Sequence, residues 1–192
     1  MSKLTHKLLK RFSVRNLILI SAMAALGLAV KPLIVPLVHL ISTPLMIPGG
    51  ALAGGFYMMW LVMAAALTRQ RGSATLTGLV QAIFVLVTGA PGSHGALSLV
   101  TYTVPGLIID LFLLLIRRQI DCRFIAFIAC LLANLAGTAL TNMIFFRLPA
   151  IPLMLSLVTS AFSGGLGGLL TWEILKALSQ YGIEVHNHDQ AE

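Results

Sequence analysis

The sequence predicts an all-α integral membrane protein, a single membrane domain over residues 1–192 with six transmembrane helices and both termini in the cytoplasm. Three observations carry that reading. The chain is 58% apolar and 10% charged, whereas soluble domains are about 45–50% apolar and about a quarter charged. Between residues 16 and 116 there are only four charges, Lys31, Arg69, Arg71 and Asp110, so charge punctuates long apolar stretches instead of coating a surface. The formal net charge of +7 therefore sits on a hydrophobic body. That points to a bilayer partner and argues against nucleic acid as the ligand.

A spanning helix needs about 20 residues, which leaves room for six or seven spans and no separate soluble domain. The first span is placed at 16–38. Lys31, Pro32 and Pro36 remove or crowd backbone donors, so its outer third is expected to be irregular. Residues 39–50, with Pro44, Pro48, Gly49 and Gly50, read as a loop or short interfacial segment. The second span covers 51–67 and ends in the basic turn Arg69-Gln70-Arg71-Gly72. The third, 73–88, leads to the turn-rich stretch Gly89-Ala90-Pro91-Gly92-Ser93-His94-Gly95. The fourth, 96–116, ends at Arg117-Arg118, the fifth runs over 123–146 and the sixth over 149–175. Residues 177–192 read as a polar cytoplasmic tail; its two histidines, His186 and His188, are expected to be solvated.

Orientation follows from the basic residues. With the N-terminus inside, Lys3, Lys7, Lys10, Arg11, Arg15, Arg69, Arg71, Arg117, Arg118, Arg123 and Lys176 are all cytoplasmic, and Lys31 and Arg147 are the exceptions. An even number of spans preserves that asymmetry, and inserting or deleting one reverses half of the loops. The basic N-terminus with its apolar run reads as an uncleaved first span, because further apolar stretches follow. Cys122 and Cys130 stand eight residues apart on one helix, which argues against a disulfide framework.

Ionisable residues inside a membrane are costly and therefore functional candidates. Asp110 lies about 10 Å from the inner interface at 1.5 Å per residue, with Gly106 and Tyr102 on its face. It is expected to relay a proton, bind a cation or anchor a neighbouring helix. Lys31, about 24 Å from the inner interface, is placed towards the outside, too far to pair with Asp110. Glu173 is expected near the inner interface, paired with Lys176. Asn134, Thr138, Thr141 and Asn142 form one polar stripe on the fifth span. With Gln81, Tyr57, Trp60 and Tyr102 they are expected to line an outward-facing pocket, although interhelical hydrogen bonding alone explains the amides equally well. His94 is a possible gate or an ordinary loop residue. Small residues at fourfold spacing recur at Ser21, Ala25 and Ala29 and at Ser160, Gly164 and Gly168, serving close helix packing or a partner helix.

No GxxxxGK[ST] loop, HExxH, CxxC or GxSxG motif occurs, and no second carboxylate accompanies Asp110 in sequence. The chain is therefore not expected to be an enzyme or to bind a cofactor.

The stretch from Gly50-Ala51-Leu52-Ala53-Gly54-Gly55-Phe56 through Ala66-Leu67-Thr68-Arg69-Gln70-Arg71-Gly72-Ser73-Ala74, the Gly89-Ala90-Pro91-Gly92 loop and Tyr102 to Asp110 resemble the S components of energy-coupling factor (ECF) transporters, and most of all the YkoE-type subgroup associated with thiamine or its precursors. The resemblance covers nearly the whole chain. It implies a six-span, substrate-binding subunit of the prokaryotic cell membrane. Such a subunit captures a vitamin from outside and docks on a transmembrane T component served by two cytoplasmic ATPases, which use the ATP. It also implies that Ala25 and Ala29, matching the family's Ala-xxx-Ala pattern, face the T component. One departure concerns the third span: thiamine-type members are richer in acids there, whereas Gly78 and Gln81 occupy the comparable face here. A pocket of amides, hydroxyls, Tyr and Trp suits a neutral, flat heterocycle held by stacking and hydrogen bonds.

The expected substrate-binding residues are thus Gln81, Tyr102, Asn134 and Asn142, with Lys31 and Trp60 beside them. Two rival readings stand next to this one. In a proton-coupled secondary transporter Asp110 exchanges its proton for substrate. In a ligand-free scaffold subunit the polar stripe only locks helices together.

Overall fold

The computed structural model describes residues 12–44, 48–89 and 95–181, and among these the regular structure is seven α-helices and one π-helical turn. The basic residues before Phe12, His94, and the tail histidines His186 and His188 lie outside the described residues. In chain order the helices are α1 (Val14–Ala29), α2 (Lys31–Ser42), α3 (Gly49–Thr68), α4 (Ser73–Thr88), α5 (Ser98–Leu115), α6 (Arg123–Thr141) and α7 (Ala150–Gln180), with the π-turn Asn142–Phe146 after α6.

Helix α3 is the centre of the bundle and packs against every other helix. Its sequence explains why: twelve of its twenty residues are buried, and a helix apolar on all sides belongs in an interior. Small residues let its neighbours come close. A Cβ added to Gly55 would fall on the Ser163 carbonyl of α7, and one added to Gly167 would fall on the Gly55 carbonyl. The Ser160, Gly164 and Gly168 stripe is likewise spent on internal packing, with Gly164 against Leu131 and Gly168 against Ala126 and Phe127 of α6. The first-span stripe behaves differently: Ser21, Ala25 and Ala29 are all exposed.

Several sequence expectations need correction. The outer third of the first span is helical, not irregular: α2 continues after a 42° bend. Pro32 sits in the first turn of α2, where its missing N–H costs little. It has no N–H to offer the Leu28 carbonyl, while the Val30 N–H keeps the ordinary helix bond to the Leu26 carbonyl at 3.2 Å. Pro36 is accommodated within the helix. Of the expected 39–50 loop, His39 to Ser42 and Gly49 to Gly50 are helical. The fifth span leaves α-geometry at Asn142, and α7 runs to Gln180, into the segment expected to be tail. Glu173 and Lys176 form no ion pair; among the described residues the one ion pair is Arg118 to Asp121 at 2.9 Å.

By length and composition four helices, α3, α5, α6 with its π-turn, and α7, can cross a membrane, and the bent pair α1 and α2 makes a fifth. Helix α4 is apolar but has 16 residues, about 24 Å against a hydrocarbon core of about 30 Å.

The start of α4 shows what Asp110 does. Gly72 occupies the cap position in the left-handed region at φ 92° and brings no side chain. Asp110 of α5 supplies the missing acceptor: its carboxylate accepts from the Gly72 N–H at 3.0 Å, the Thr75 N–H at 2.7 Å and the Thr75 hydroxyl at 2.5 Å. A carboxylate at a helix N-terminus also complements its dipole.

Gly55→Val should destabilise the protein by about 2–3 kcal/mol, because the carbonyl it meets is backbone and cannot rotate away. Gly50→Ala, whose added Cβ meets open space, should stay within about 0.5 kcal/mol of wild type; unfolding in detergent compares them. Asp110→Asn, which loses acceptor capacity at an interhelical cap, should cost about 1–2 kcal/mol and raise amide exchange first at residues 72–76. A variant as stable and as protected as wild type would remove the capping role.

Candidate functional site

A cavity of about 310 Å³ opens beside the N-terminal half of α3, lined from α2, α3, α4, α5, α6, the π-turn and α7. That volume is at the lower end of small-molecule sites. The wall from α3 is the stripe Gly50, Ala51, Gly54, Tyr57, Met58 and Leu61, one face at helical spacing. The wall from α6 is Asn134, Gly137, Thr138 and Thr141, continued by Asn142. Gln81 enters from α4, Thr101 and Tyr102 from α5, and Ser156 from α7. Lys31, Val35, Val38 and His39 come from α2.

Five of the six expected binding residues thus meet at one cavity: Lys31, Gln81, Tyr102, Asn134 and Asn142. Trp60 does not line it. The cavity-facing stripe of α3 passes through Tyr57, Met58 and Leu61, and Trp60 lies beside Gly27 of α1 while stacking edge-on against Phe56 of its own helix at 6.3 Å between ring centroids. Asp110 is also absent from the lining, being bonded at the start of α4.

The polar stripe of α6 performs both roles that its residues allow. Asn134 is buried and its amide donates to the Ser160 carbonyl at 2.8 Å and the Ala51 carbonyl at 3.4 Å, stapling α6 to α7 and α3. Asn142 fixes the π-turn: its side-chain oxygen accepts from the Leu148 N–H at 3.0 Å and its backbone carbonyl from the Arg147 N–H at 2.8 Å. Thr141 donates to the Gly137 carbonyl at 2.6 Å. These bonds hold the wall rigid while its remaining polar surface faces the cavity.

Lys31 is the one Lys or Arg side chain in the described lining. Its ammonium donates to the Tyr102 hydroxyl at 2.6 Å and lies 4.0 Å from the Tyr102 ring centroid and 5.1 Å from that of Tyr57. Aromatic faces stabilise a cation by about 0.5–2 kcal/mol. The described lining contains no carboxylate. At one end of the cavity lies the N-terminus of α3, whose cap residue Pro48 makes no side-chain capping bond.

His39, Gly49, Gly50, Met58, Thr101 and Ser156 were not anticipated as lining residues. For His39 the signal was present: Lys31, Val35 and His39 recur at fourfold spacing on one helix face, but the two prolines disguised the helix. Chemically, the cavity presents two phenol rings for stacking, amide and hydroxyl groups for hydrogen bonds and one ammonium. That is binding equipment for a small polar molecule. Among the described residues no three His, Cys, Asp or Glu side chains gather as metal ligands.

Comparisons with known proteins agree with a transport role. No curated protein matches the chain. A solved structure described as "Crystal structure of an S-component of ECF transporter" superposes with a TM-score of 0.76 at 20% identity, covering 89% of this chain and 87% of that one, so the two share a fold. A family model described as "ABC-type cobalt transport system, permease component" matches residues 15–136. The match runs from the start of α1 well into α6, most of the chain, and the protein belongs to that family of transport-system permease components.

Proposed function

We propose that this protein is the substrate-capturing S component of an ECF-type importer. In this reading it takes a small vitamin or vitamin precursor from outside the prokaryotic cell membrane and delivers it through a T component driven by two cytoplasmic ATPases. The observation that carries the reading is the cavity itself, which collects Lys31, Gln81, Tyr102, Asn134 and Asn142 from five separate elements inside a fold shared with an S component. Six crossings with both ends cytoplasmic belong to the proposal. The basic residues favour them, and α4, although short, packs against α1, α3 and α5 in the bundle.

The exposed face of α1 supports the docking half of the proposal. Ala25 and Ala29 point away from this chain's core, so the small stripe is available to a partner helix that must approach closely. Helix α7, by contrast, buries its own small stripe.

The cavity also weighs the possible cargoes. A thiamine-like cation would enter a described lining with an ammonium and no carboxylate. A bare divalent cobalt ion, the cargo in the family's description, would meet one imidazole, His39, and the same ammonium. An organic molecule with a flat ring fits the tyrosines and amides better. Proton coupling through Asp110 has less support, since that carboxylate is committed to three bonds at the start of α4.

Two measurements test the proposal. Mass spectrometry of small molecules released from the purified protein should find a stoichiometric vitamin or precursor, and uptake reconstituted with a T component and ATPases should require ATP. Ala25→Leu should reduce co-purification with the T component by more than about tenfold while cargo binding by the solitary protein stays within about twofold of wild type. Unaltered assembly removes the docking role. ATP-independent, proton-driven uptake replaces the S-component reading with secondary transport.

A further inference from the structure

We infer that the cargo bears a negative charge, a single carboxylate, and that Lys31 is the residue that selects it. The inference rests on the capture reading above and deepens it by naming the charge of the cargo.

An ammonium held within the bilayer is costly unless something neutralises it. Among the described residues there are three acids, Asp110, Asp121 and Glu173, and none of them pairs with Lys31. Asp110 caps α4, Asp121 pairs with Arg118 and Glu173 is exposed on α7. Among the described residues Lys31 has only neutral company, the Tyr102 hydroxyl and the faces of Tyr57 and Tyr102. Those contacts position the ammonium without cancelling its charge.

A second feature of the same cavity has the same sign. Gly49 and Gly50 line it at the N-terminus of α3, and their helix lacks a side-chain cap there. A helix N-terminus carries a partial positive charge and unpaired N–H donors, and the space beside Gly50 is open. His39 also lines the cavity from α2 and brings no negative charge to it. One full charge assisted by a helix end matches a monoanionic carboxylate better than a phosphate dianion. The tyrosine rings beside the ammonium leave an apolar, flat surface for the body of the same molecule. Pairing inside a site of low dielectric strengthens the interaction over its value in water.

The test is equilibrium dialysis of the full chain in lipid nanodiscs against an equimolar mixture of thiamine, nicotinamide, riboflavin, nicotinate, pantothenate and biotin, with retained species identified by mass spectrometry. The first is a cation, the next two are neutral and the last three carry carboxylates. Wild type and Lys31→Arg should retain a carboxylate-bearing member. Lys31→Met, which keeps the stem and loses the charge, should bind it about 10- to 100-fold more weakly while melting at the wild-type temperature or above; Lys31→Gln gives the same comparison if the methionine variant does not fold. Preferential retention of thiamine or of a neutral member, or equal retention of a carboxylate by Lys31→Met, overturns the charge assignment and leaves the capture reading standing. Retention of no member by a folded wild-type protein overturns the assignment and counts against capture as well.

Discussion

Close approach of helix backbones along α3 is the constraint on which the rest of the structure depends. In a bilayer, apolar side chains gain little by leaving lipid for another helix, so association rests on packing and on interhelical hydrogen bonds. Both are concentrated on α3. Gly55 and Gly167 let α3 and α7 meet at their backbones, and the Asn134 amide bonds to α3 and α7 from α6. The C-terminal half of α3, rich in buried Ala, Val and Met, fills its surroundings completely. Its N-terminal half carries Gly50, Ala51, Gly54 and Tyr57 towards a space that its neighbours do not fill. The cavity is therefore left where the small residues Gly50, Ala51 and Gly54 of α3 and Gly137 of α6 meet the larger side chains of Lys31, Tyr57 and Tyr102 without the gap being filled.

The helices themselves were legible because lipid demands long apolar stretches with satisfied backbones, and those stretches are plain between the arginines. The breaks were less so. Three arginines, Arg69, Arg117 and Arg147, end helices or turns in the left-handed conformation at φ 51°, 55° and 46°, positions that composition would assign to glycine. The prolines of α2 suggested disorder, yet Pro32 occupies a first turn that tolerates it and only the direction of the helix changes. Local propensity marked where a change occurs, and tertiary packing decided what kind.

The site was legible to the extent that helical periodicity reaches. Asn134, Thr138, Thr141 and Asn142 share a face by spacing alone, and that face is the cavity wall. Trp60 shows the limit: three residues from Tyr57, it belongs to a neighbouring strip of surface, and only the position of α1 determines that it packs beside Gly27. Asp110 shows another. Its charge within an apolar stretch marked it as functional, but its three donors come from the turn before α4 and its first residues, 35 to 38 positions away in sequence. Nothing periodic announces that contact.

These placements separate two kinds of charge in the membrane. Asp110 is neutralised in effect by backbone N–H groups whose helix needs an acceptor, so its cost is met within the fold. Lys31 has no such reciprocal partner among the described residues; tyrosine faces and a phenol oxygen hold it at the edge of a cavity. A fold retains an uncompensated cation only at a cost to its own stability, and an apolar residue of similar length would serve packing as well. In the assignment made for Lys31, a bound carboxylate supplies the compensation, and the cavity is where such a molecule reaches it.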